Sequence, residues 1–301
     1  MSTEIMHIDV DNYSAMANAM GMGIDSGGDK KANMLARLKI QHSPIMGEKV
    51  VDGTAMKVEV VNGGVYRLDV PSNGVLYGKG AIIRPFAQRF MYKRFHSNHG
   101  AKPGEPRGTY QKTIMSNDMN TDMKDNMGTF NCGKPAGYIQ DYNALSQDKK
   151  DLIKQIKRVR VIFGTISMKD ARYESGESGE CVDVPFIWEI DNRDAFKIMG
   201  EPFSKLGKMQ RLPVQHNISL ATEERKIPTG AVFYLPIPTL DAKNEIKLQE
   251  EDQDLFADFM AWVQNYNDYI CSEWDKTTRN KMSDEDIDVV EDFIEIEGSG
   301  D

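Results

Sequence analysis

The segment Ala81-Ile-Ile-Arg-Pro-Phe-Ala-Gln-Arg-Phe-Met-Tyr-Lys-Arg-Phe95 interleaves cations with aromatic rings along a run of residues typical of a β-strand. Successive side chains of a strand point to opposite faces. Each face would then carry both kinds of side chain: Phe86, Phe90, Tyr92 and Arg94 on one, and Arg89, Met91, Lys93 and Phe95 on the other. A surface for single-stranded nucleic acid needs rings for bases and cations for phosphates. An edge strand with core aromatics explains the pattern about equally well.

A second cationic segment follows the first. Lys79–Lys112 holds eight Lys and Arg against one acid, and Lys149–Arg172 holds eight against two. Within the second segment, a helical stretch leads into the strand Lys157–Phe163, which places Arg158 and Arg160 on one face and valines on the other. We therefore expect a solvated cationic strand with a buried back. Together the two segments favour a groove lined for phosphates.

These arguments assign aromatic rings to base stacking and cations to phosphate binding. The predicted nucleic-acid-binding residues are Arg84, Phe86, Arg89, Phe90, Tyr92, Lys93, Arg94, Tyr110, Lys112, Lys134, Tyr138, Lys157, Arg158 and Arg160. Between the two cationic segments, Asn131–Tyr138 forms a glycine-rich bend that brings Lys134 and Tyr138 together. It lacks the spacing of an ATP phosphate loop.

Short β-type runs dominate the chain, which predicts a mainly β protein with added helices, an α+β class. The core is expected to be an OB-like barrel or a curved sheet, because the runs are separated by irregular insertions. Asn62-Gly63 favours a tight hairpin between Lys57–Val61 and Val65–Val70, with Tyr66, Leu68 and Val70 on one face. The predicted organisation is a flexible arm over 1–28, the OB-like core with its helical additions over 29–282 and an acidic tail over 283–301.

The clearest helix is predicted over Asp252–Trp274. Its apolar side chains recur at three- and four-residue spacing and form one face: Leu255, Phe259, Trp262, Val263, Tyr266 and Ile270. We expect this face to pack on the sheet. A further helix is predicted over Asn192–Leu206, with Asp191 or Asn192 as its N-cap.

The last nineteen residues carry nine acids and no Lys or Arg. The whole formal charge of −9 belongs to this tail, because the other 37 acids balance the 37 Lys and Arg of the chain. Such a segment is expected to be disordered and to compete with nucleic acid for the cationic groove. Its predicted partner-binding residues are Asp284, Glu285, Asp286, Asp288, Glu291, Asp292 and Phe293.

Composition narrows the class of protein. The chain has 301 residues, of which 40% are hydrophobic and 28% charged, as is ordinary for a globular protein. It contains neither an eighteen-residue apolar run nor a signal-peptide stretch, so we expect a cytoplasmic protein without a membrane partner. Three cysteines without a C-x-x-C pair fit a reducing compartment. We expect no cofactor.

Metal sites have weaker support. The conceivable ligands are Glu189, Asp191 and Asp194 for Mg²⁺ in a nuclease-like site, and His96, His99, Cys132 and Cys181 for zinc. A strand end followed by a helix cap and a first-turn acid explains the three carboxylates better. The four zinc candidates lack the paired spacing of structural zinc sites. We therefore expect neither a metal site nor enzymatic activity.

The order of these parts resembles the single-stranded-DNA-binding protein of T-even-type phages, the helix-destabilising replication protein. The shared features are a proline-aromatic-basic strand followed by a G-x-Y turn (Pro85-Phe86 to Gly108-Thr-Tyr110), a bend from Cys132 to Ile139, the pair Lys157-Arg158, an aromatic strand leading into a helix (Phe186 to Met199), and the acidic tail. The resemblance spans most of the chain on short motifs. It implies an OB-like fold, self-association along DNA and recruitment of replication proteins by the tail. The chain departs from the family in keeping only Cys132 of its Cys-x-x-Cys zinc cluster and in lacking its N-terminal basic motif.

We therefore expect sequence-tolerant binding of single-stranded DNA in phage replication, recombination and repair, in the host cytoplasm. Polymerase, helicase or recombinase would be partners of the tail. Two alternatives stay open. One is a virion or assembly protein whose basic strands form subunit interfaces, and the other is a metal-dependent nuclease that uses Glu189 and Asp191.

Overall fold

The computed structural model describes residues 35–51, 54–71, 73–102, 105–227 and 229–279. The predicted arm over 1–28 and the acidic tail over 283–301 lie outside these residues. The described strands are β1 (Ala36–Gln41), β2 (Ile45–Val51), β3 (Thr54–Val61), β4 (Val65–Val70), β5 (Gly74–Gly78), β6 (Ala81–Ser97), β7 (Gly108–Lys112), β8 (Ile156–Arg172), β9 (Ser178–Ile190), β10 (Ile218–Lys226) and β11 (Val232–Leu240). The helices are α1 (Gln147–Gln155), α2 (Arg193–Ile198), α3 (Glu201–Lys208) and α4 (Glu250–Arg279), with 3-10 turns at Asn131–Gly133 and Pro213–Gln215. The protein is therefore mainly β with added helices, as the sequence predicts.

The central strand of the sheet is β8. One of its edges pairs with β5 and β6 and the other with β9, all antiparallel. From β9 the pairing passes to β1 in a short parallel contact, then to β4 and back to β5. These five strands close on themselves, so the sheet is curved into a ring. Strands β10 and β11 extend it from β6, and β7 pairs with the far end of β6.

The hairpin predicted around Asn62-Gly63 is wrong in its pairing. Strand β3 pairs with β2 in a separate two-stranded ribbon, whereas β4 pairs with β1 and β5. The turn is present, and Gly64 takes a φ of 80° there, but it joins two different sheets. A turn signal specifies a reversal of the chain and leaves the partner strand open. The buried face of β4, with Tyr66 and Leu68, is matched by Leu38 of β1.

The interior of the ring is a single hydrophobic cluster. Tyr66, Leu68, Ile162 and Trp188 are buried there, and Tyr66 meets Trp188 edge to face at 6.0 Å between ring centroids. The hydroxyl of Tyr66 donates to the carbonyl of Ala221 at 2.9 Å, which satisfies the polar atom of a fully buried ring. Helices α2 and α3 add their apolar sides to the same cluster.

Helices α2 and α3 replace the single helix that the sequence predicts over Asn192–Leu206. The side chain of Asn192 accepts hydrogen bonds from the backbone N–H groups of Asp194 and Ala195, and it is thus the N-cap of α2. Pro202 lies in the first turn of α3, where its missing N–H costs nothing, but it cannot continue α2. The chain therefore breaks between the two helices, at Gly200.

Helix α4 packs on the other face of β6 and β8. Phe259 is fully buried against Phe86 and Phe163, with ring centroids 5.6 Å and 5.9 Å apart. The amide side chain of Asn267 bonds both the N–H and the carbonyl of Met115, at 2.7 Å and 3.0 Å. The predicted apolar face of this helix is confirmed as a packing surface: Phe259, Val263 and Ile270 are buried, and Leu255, Trp262 and Tyr266 are partly so.

Candidate nucleic-acid interface

A cleft of about 510 Å³ opens between β1 and β9. The two strands pair with each other only at Ala36 and Arg37, and they diverge beyond this point. Strands β6, β7 and β11 and helices α2 and α4 supply the other walls. The charged and aromatic residues that line the cleft are Arg37, Lys39, His42, Lys93, Lys112, Glu189, Asp191, Tyr110, Trp188, Tyr234 and Trp262. Cations and rings from β1, β6, β7, β9, β11 and α4 therefore meet at one opening.

Strand alternation positions the two cations of β1. Ala36 and Leu38 are buried in the ring, so Arg37 and Lys39 point outward and are exposed. Neither forms an ion pair with any residue that the structure describes. The site prediction did not include them, although the alternation Arg37-Leu-Lys-Ile40 is itself a strand signal. They are the cations of the cleft that are most available to an anionic ligand.

The two acids of the cleft are already neutralised. Asp191 lies between Lys93 and Lys157, with N–O distances of 3.1 Å and 3.0 Å, and Glu189 lies 3.4 Å from Lys112. Burial alone would raise the pKa of Asp191, but the two lysines outweigh it and hold the pKa below its usual value. These lysines were predicted to hold phosphates, and in the structure each one serves a carboxylate.

Tyr110 and Phe95 form an exposed aromatic pair at the edge of the cleft. They face each other across β6 and β7 with ring centroids 5.0 Å apart, and they are 49% and 46% exposed. The ammonium of Lys93 lies 4.9 Å from the Tyr110 centroid. Two adjacent rings beside a cation are the arrangement on which unpaired bases stack. Phe95 was absent from the predicted site, because sequence alone does not show which rings of β6 stay exposed.

Two rings of the predicted nucleic-acid-binding set are in the interior. Phe86 packs on α4, and Tyr92 is fully buried against Met123 and Cys132. The prediction for these two residues is wrong because both faces of β6 are covered, one by α4 and the other by the segment between β7 and α1. The mixed pattern of the strand reflects burial on two sides.

Several predicted phosphate ligands are occupied by protein groups. Arg84 makes a two-pronged ion pair with Asp252, at 2.7 Å and 2.8 Å, and Arg89 bonds the carbonyl of Gln88 and the sulfur of Met260. Burial lowers the pKa of Arg89. Arg94 donates to Gln155 at 2.8 Å. Arg84 in particular is neutralised, which corrects its predicted role.

The glycine-rich bend gives a divided result. Lys134 donates to the hydroxyl of Tyr92 and to the carbonyls of Pro135 and Gly137, so its ammonium is held inside the bend. Burial, with a smaller contribution from Arg158, lowers the pKa of Lys134. Tyr138 is 89% exposed and has a free ring face. Of this predicted pair, Tyr138 alone presents a surface to a ligand.

The strand after α1 carries the remaining predicted cations. Val159, Val161 and Phe163 are buried, as the alternation predicts. On the other face Arg158 is exposed, but Arg160 is only 8% exposed and lies over Phe90. The expectation of a fully solvated cationic face is therefore wrong at Arg160, because α2 and α3 cover that part of the strand.

The conceivable zinc ligands are not brought together. His96 bonds the side chain of Gln111, His99 bonds Ser97, and the buried thiol of Cys132 donates to the Gln111 carbonyl. Burial raises the pKa of Cys132, so the thiol is protonated at neutral pH. Among the described residues, no group of three or more His, Cys, Asp or Glu is placed to hold a metal ion.

Comparison with known proteins does not identify a relative. The chain matches no protein-family model, no curated protein and no solved structure. Within the part that the structure describes, no helix is long and apolar enough to cross a membrane. The predicted partner-binding residues of the tail, from Asp284 to Phe293, fall outside the described residues.

Proposed function

We propose that this chain binds single-stranded nucleic acid, with DNA as the expected ligand, in the cleft between β1 and β9. One observation carries the proposal. Arg37 and Lys39, which have no acidic partner among the described residues, face the same cleft as the exposed ring of Tyr110. Unpaired cations of a protein displace the counterions that are condensed on the phosphates of a nucleic acid, and exposed rings stack on unpaired bases. The combination favours a single strand over a duplex, whose bases are already stacked.

The proposed core resembles an OB fold in two respects: five strands close into a ring, and the binding surface lies on the outside of that ring. An OB fold is a Greek-key barrel. Here the strands of the ring follow one another in chain order, and β9 returns to β1 by the parallel contact. Because this strand order is not that of a Greek key, the proposal rests on the cleft and its chemistry and not on the fold.

The wider role that we propose is in phage DNA replication, recombination and repair. It rests on the resemblance of the sequence to the helix-destabilising proteins and on the nine acids of the tail. The tail would recruit replication proteins and would compete with DNA for the cations of the cleft. In this proposal Glu189 and Asp191 hold the lysines of the cleft in place, and they are assigned no metal.

The proposal is tested by titrating a fluorescent oligo-dT with the full chain and following anisotropy. The double variant Arg37→Ala/Lys39→Ala should weaken binding by at least about tenfold, because two phosphate contacts are lost. The matched control is Lys169→Ala/Arg172→Ala, which removes the same charge from exposed positions of β8 outside the cleft. Equal affinity of the two variants would overturn the proposal, and so would equal binding of wild-type protein to duplex and single strand.

A further inference from the structure

A second basic pocket, of about 550 Å³, lies between β8 and helices α2 and α3. Its charged residues are Arg158, Arg160, Lys197, Lys205, Lys208 and the single acid Glu201. Arg160 points away from the face of β8 that packs on α4, whereas Lys93 of the cleft lies on that face opposite Lys157. The pocket and the cleft are therefore on opposite faces of the sheet formed by β6 and β8.

Arg160 is a buried cation without an acidic partner. Its Nε donates to the carbonyl of Phe196 at 3.2 Å and its Nη1 to the side-chain oxygen of Gln88. No hydrogen bond from Nη2 and no ion pair to an Asp or Glu is present among the described residues. Burial lowers its pKa to about 10, so the group still carries its charge at neutral pH. Charged side chains are almost never buried unless they are paired.

Aromatic rings hold this guanidinium in position. Its Cζ lies 5.0 Å from the ring centroid of Phe90, 4.7 Å from that of Phe196 and 5.9 Å from that of Phe203. Cation–π contacts orient the group and offset part of its desolvation, but they leave its net charge in place. The fixed fork of nitrogen atoms is thus prepared for an anion.

Gly200 makes room for Nη2 of Arg160. A Cβ at this position would lie 2.6 Å from Nη2, well inside contact distance. The backbone of Gly200 is ordinary right-handed helix, with φ −78° and ψ −25°, so an alanine would fit the main chain without strain. The absence of a side chain here serves the guanidinium, and no turn of the backbone requires it.

The rim of the pocket adds further positive charge. Lys205 and Lys208 are three residues apart on one side of α3 and are exposed, as is Lys197 of α2. None of the three forms an ion pair with another described residue. A phosphate group has several acceptor oxygens and up to two negative charges, whereas a carboxylate has two oxygens and one charge. A planar guanidinium surrounded by lysines therefore suits a phosphate ligand better than a carboxylate ligand.

We propose that this pocket is a phosphate-binding site, in which Nη2 of Arg160 anchors the group and Lys205 and Lys208 hold it at the rim. The site goes beyond the cleft and does not depend on it. A phosphodiester of a bound strand and a free phosphate ion both present anionic phosphate oxygens to these side chains.

Inorganic phosphate and pyrophosphate are the probes for the site itself. Their binding to the full chain is measured by calorimetry and by thermal unfolding, against chloride at matched ionic strength. We expect Gly200→Ala, which displaces Nη2, and Lys205→Ala/Lys208→Ala to weaken binding by about tenfold to a hundredfold. The control Lys154→Ala/Lys276→Ala removes two exposed lysines from α1 and α4 and should leave binding unchanged. Absence of binding to the wild-type protein, or unchanged binding in both pocket variants, would overturn the proposal.

Oligo-dT titrations separate the two sources of phosphate. If the pocket holds a strand, Gly200→Ala should weaken oligo-dT binding and flatten its salt dependence. If it holds a free ion, oligo-dT binding should be unchanged while phosphate binding is lost. Thermal unfolding in chloride checks that each variant is folded, and the lysine pair on the exposed side of α3 gives a readout that does not involve the core. Failure here leaves the Arg37 and Lys39 experiment untouched, so the two proposals can fail separately.

Discussion

The two faces of β6 and β8 carry the same mixture of arginines and aromatic rings, yet they differ in what meets the charge. On the α4 face, Arg84 forms two hydrogen bonds to Asp252, a residue 168 positions away in the chain. On the opposite face, Arg160 makes cation–π contacts with three rings and forms no ion pair with an acid among the described residues. The first arrangement neutralises the charge inside the protein, and in the second no described acid neutralises it. An interleaved pattern of cations and rings therefore acquires its meaning from the partner that folding brings to it.

The largest expected effect tests the closed face. Phe259→Ala should lower the free energy of unfolding by about 3–5 kcal/mol, because the fully buried ring contacts both Phe86 and Phe163 and leaves a cavity. Chemical denaturation followed by circular dichroism measures the loss. Phe256→Ala, at a 43% exposed position of the same helix, is the control and should change stability by under about 1 kcal/mol. Similar losses in both variants would mean that α4 is not anchored through Phe259.

The ion pair on that face comes next. Asp252→Asn should cost on the order of 3 kcal/mol at neutral pH, because it leaves the mostly buried Arg84 without its counter-charge. Asp254→Asn, an exposed acid on the same helix, is the matched control. A loss no greater than that of the control would show that the ion pair with Arg84 does not stabilise the fold.

The same pair has a signed pH dependence. Hydrogen bonding to Arg84 holds the pKa of Asp252 below its usual value. The contribution of the pair to the free energy of unfolding is therefore fully present above the unfolded-state pKa of about 3.9, and it is lost as pH falls toward the lower pKa of the folded state. The stability difference between wild type and Asp252→Asn should therefore shrink below about pH 4. A difference that stayed constant down to acid pH would contradict the assignment.

Base stacking gives a smaller effect, in the cleft. Tyr110→Ala should weaken oligo-dT binding by about 1–3 kcal/mol, or roughly 5–150-fold, with little change in stability because half of the ring is exposed. Tyr269→Ala is the control, since Tyr269 is 62% exposed on α4 and does not line the cleft. Fluorescence anisotropy measures the binding. A loss of stability without a loss of affinity would assign Tyr110 to packing.

Salt dependence should show the smallest change. If Lys39 neutralises one phosphate, Lys39→Ala should reduce the slope of log affinity against log salt by about 0.7, the value for one contact on a single strand. The measurement is a titration at several salt concentrations. Lys169→Ala should keep the wild-type slope, and an equally unchanged slope in the Lys39 variant would remove this residue from the interface.

Much of the fold could be predicted from local patterns. The alternation in Val65–Val70 predicted the buried face of β4, and the spacing in α4 predicted the face that packs on the sheet. Both succeed because a strand or helix that covers one side of a core must repeat its apolar residues with its own period. The hairpin around Asn62-Gly63 failed because a turn motif carries no information about the strand that will pair beside it.

The candidate site was less accessible to sequence reasoning. Lys93, Tyr110 and Lys112 were predicted and line the cleft, but Arg37 and Phe95 were missed, and Phe86 and Tyr92 proved to be buried. A ring on a strand with mixed faces has no sequence mark that distinguishes a covered position from an exposed one. Only the placement of α4 and of the segment after β7 makes that distinction.

The sequence by itself determined the class of fold, the buried faces of β4, β8 and α4, and the abundance of cations along β6 and β8, because these follow from residue type and local period. The tertiary structure alone decided which cations of the protein are free. Asp252 neutralises Arg84, Asp191 and Glu189 engage the lysines of the cleft, and no described acid reaches Arg37, Lys39 or Arg160. The physical reason is that charge is compensated over a few ångströms in space, between residues that can be more than a hundred positions apart in the chain.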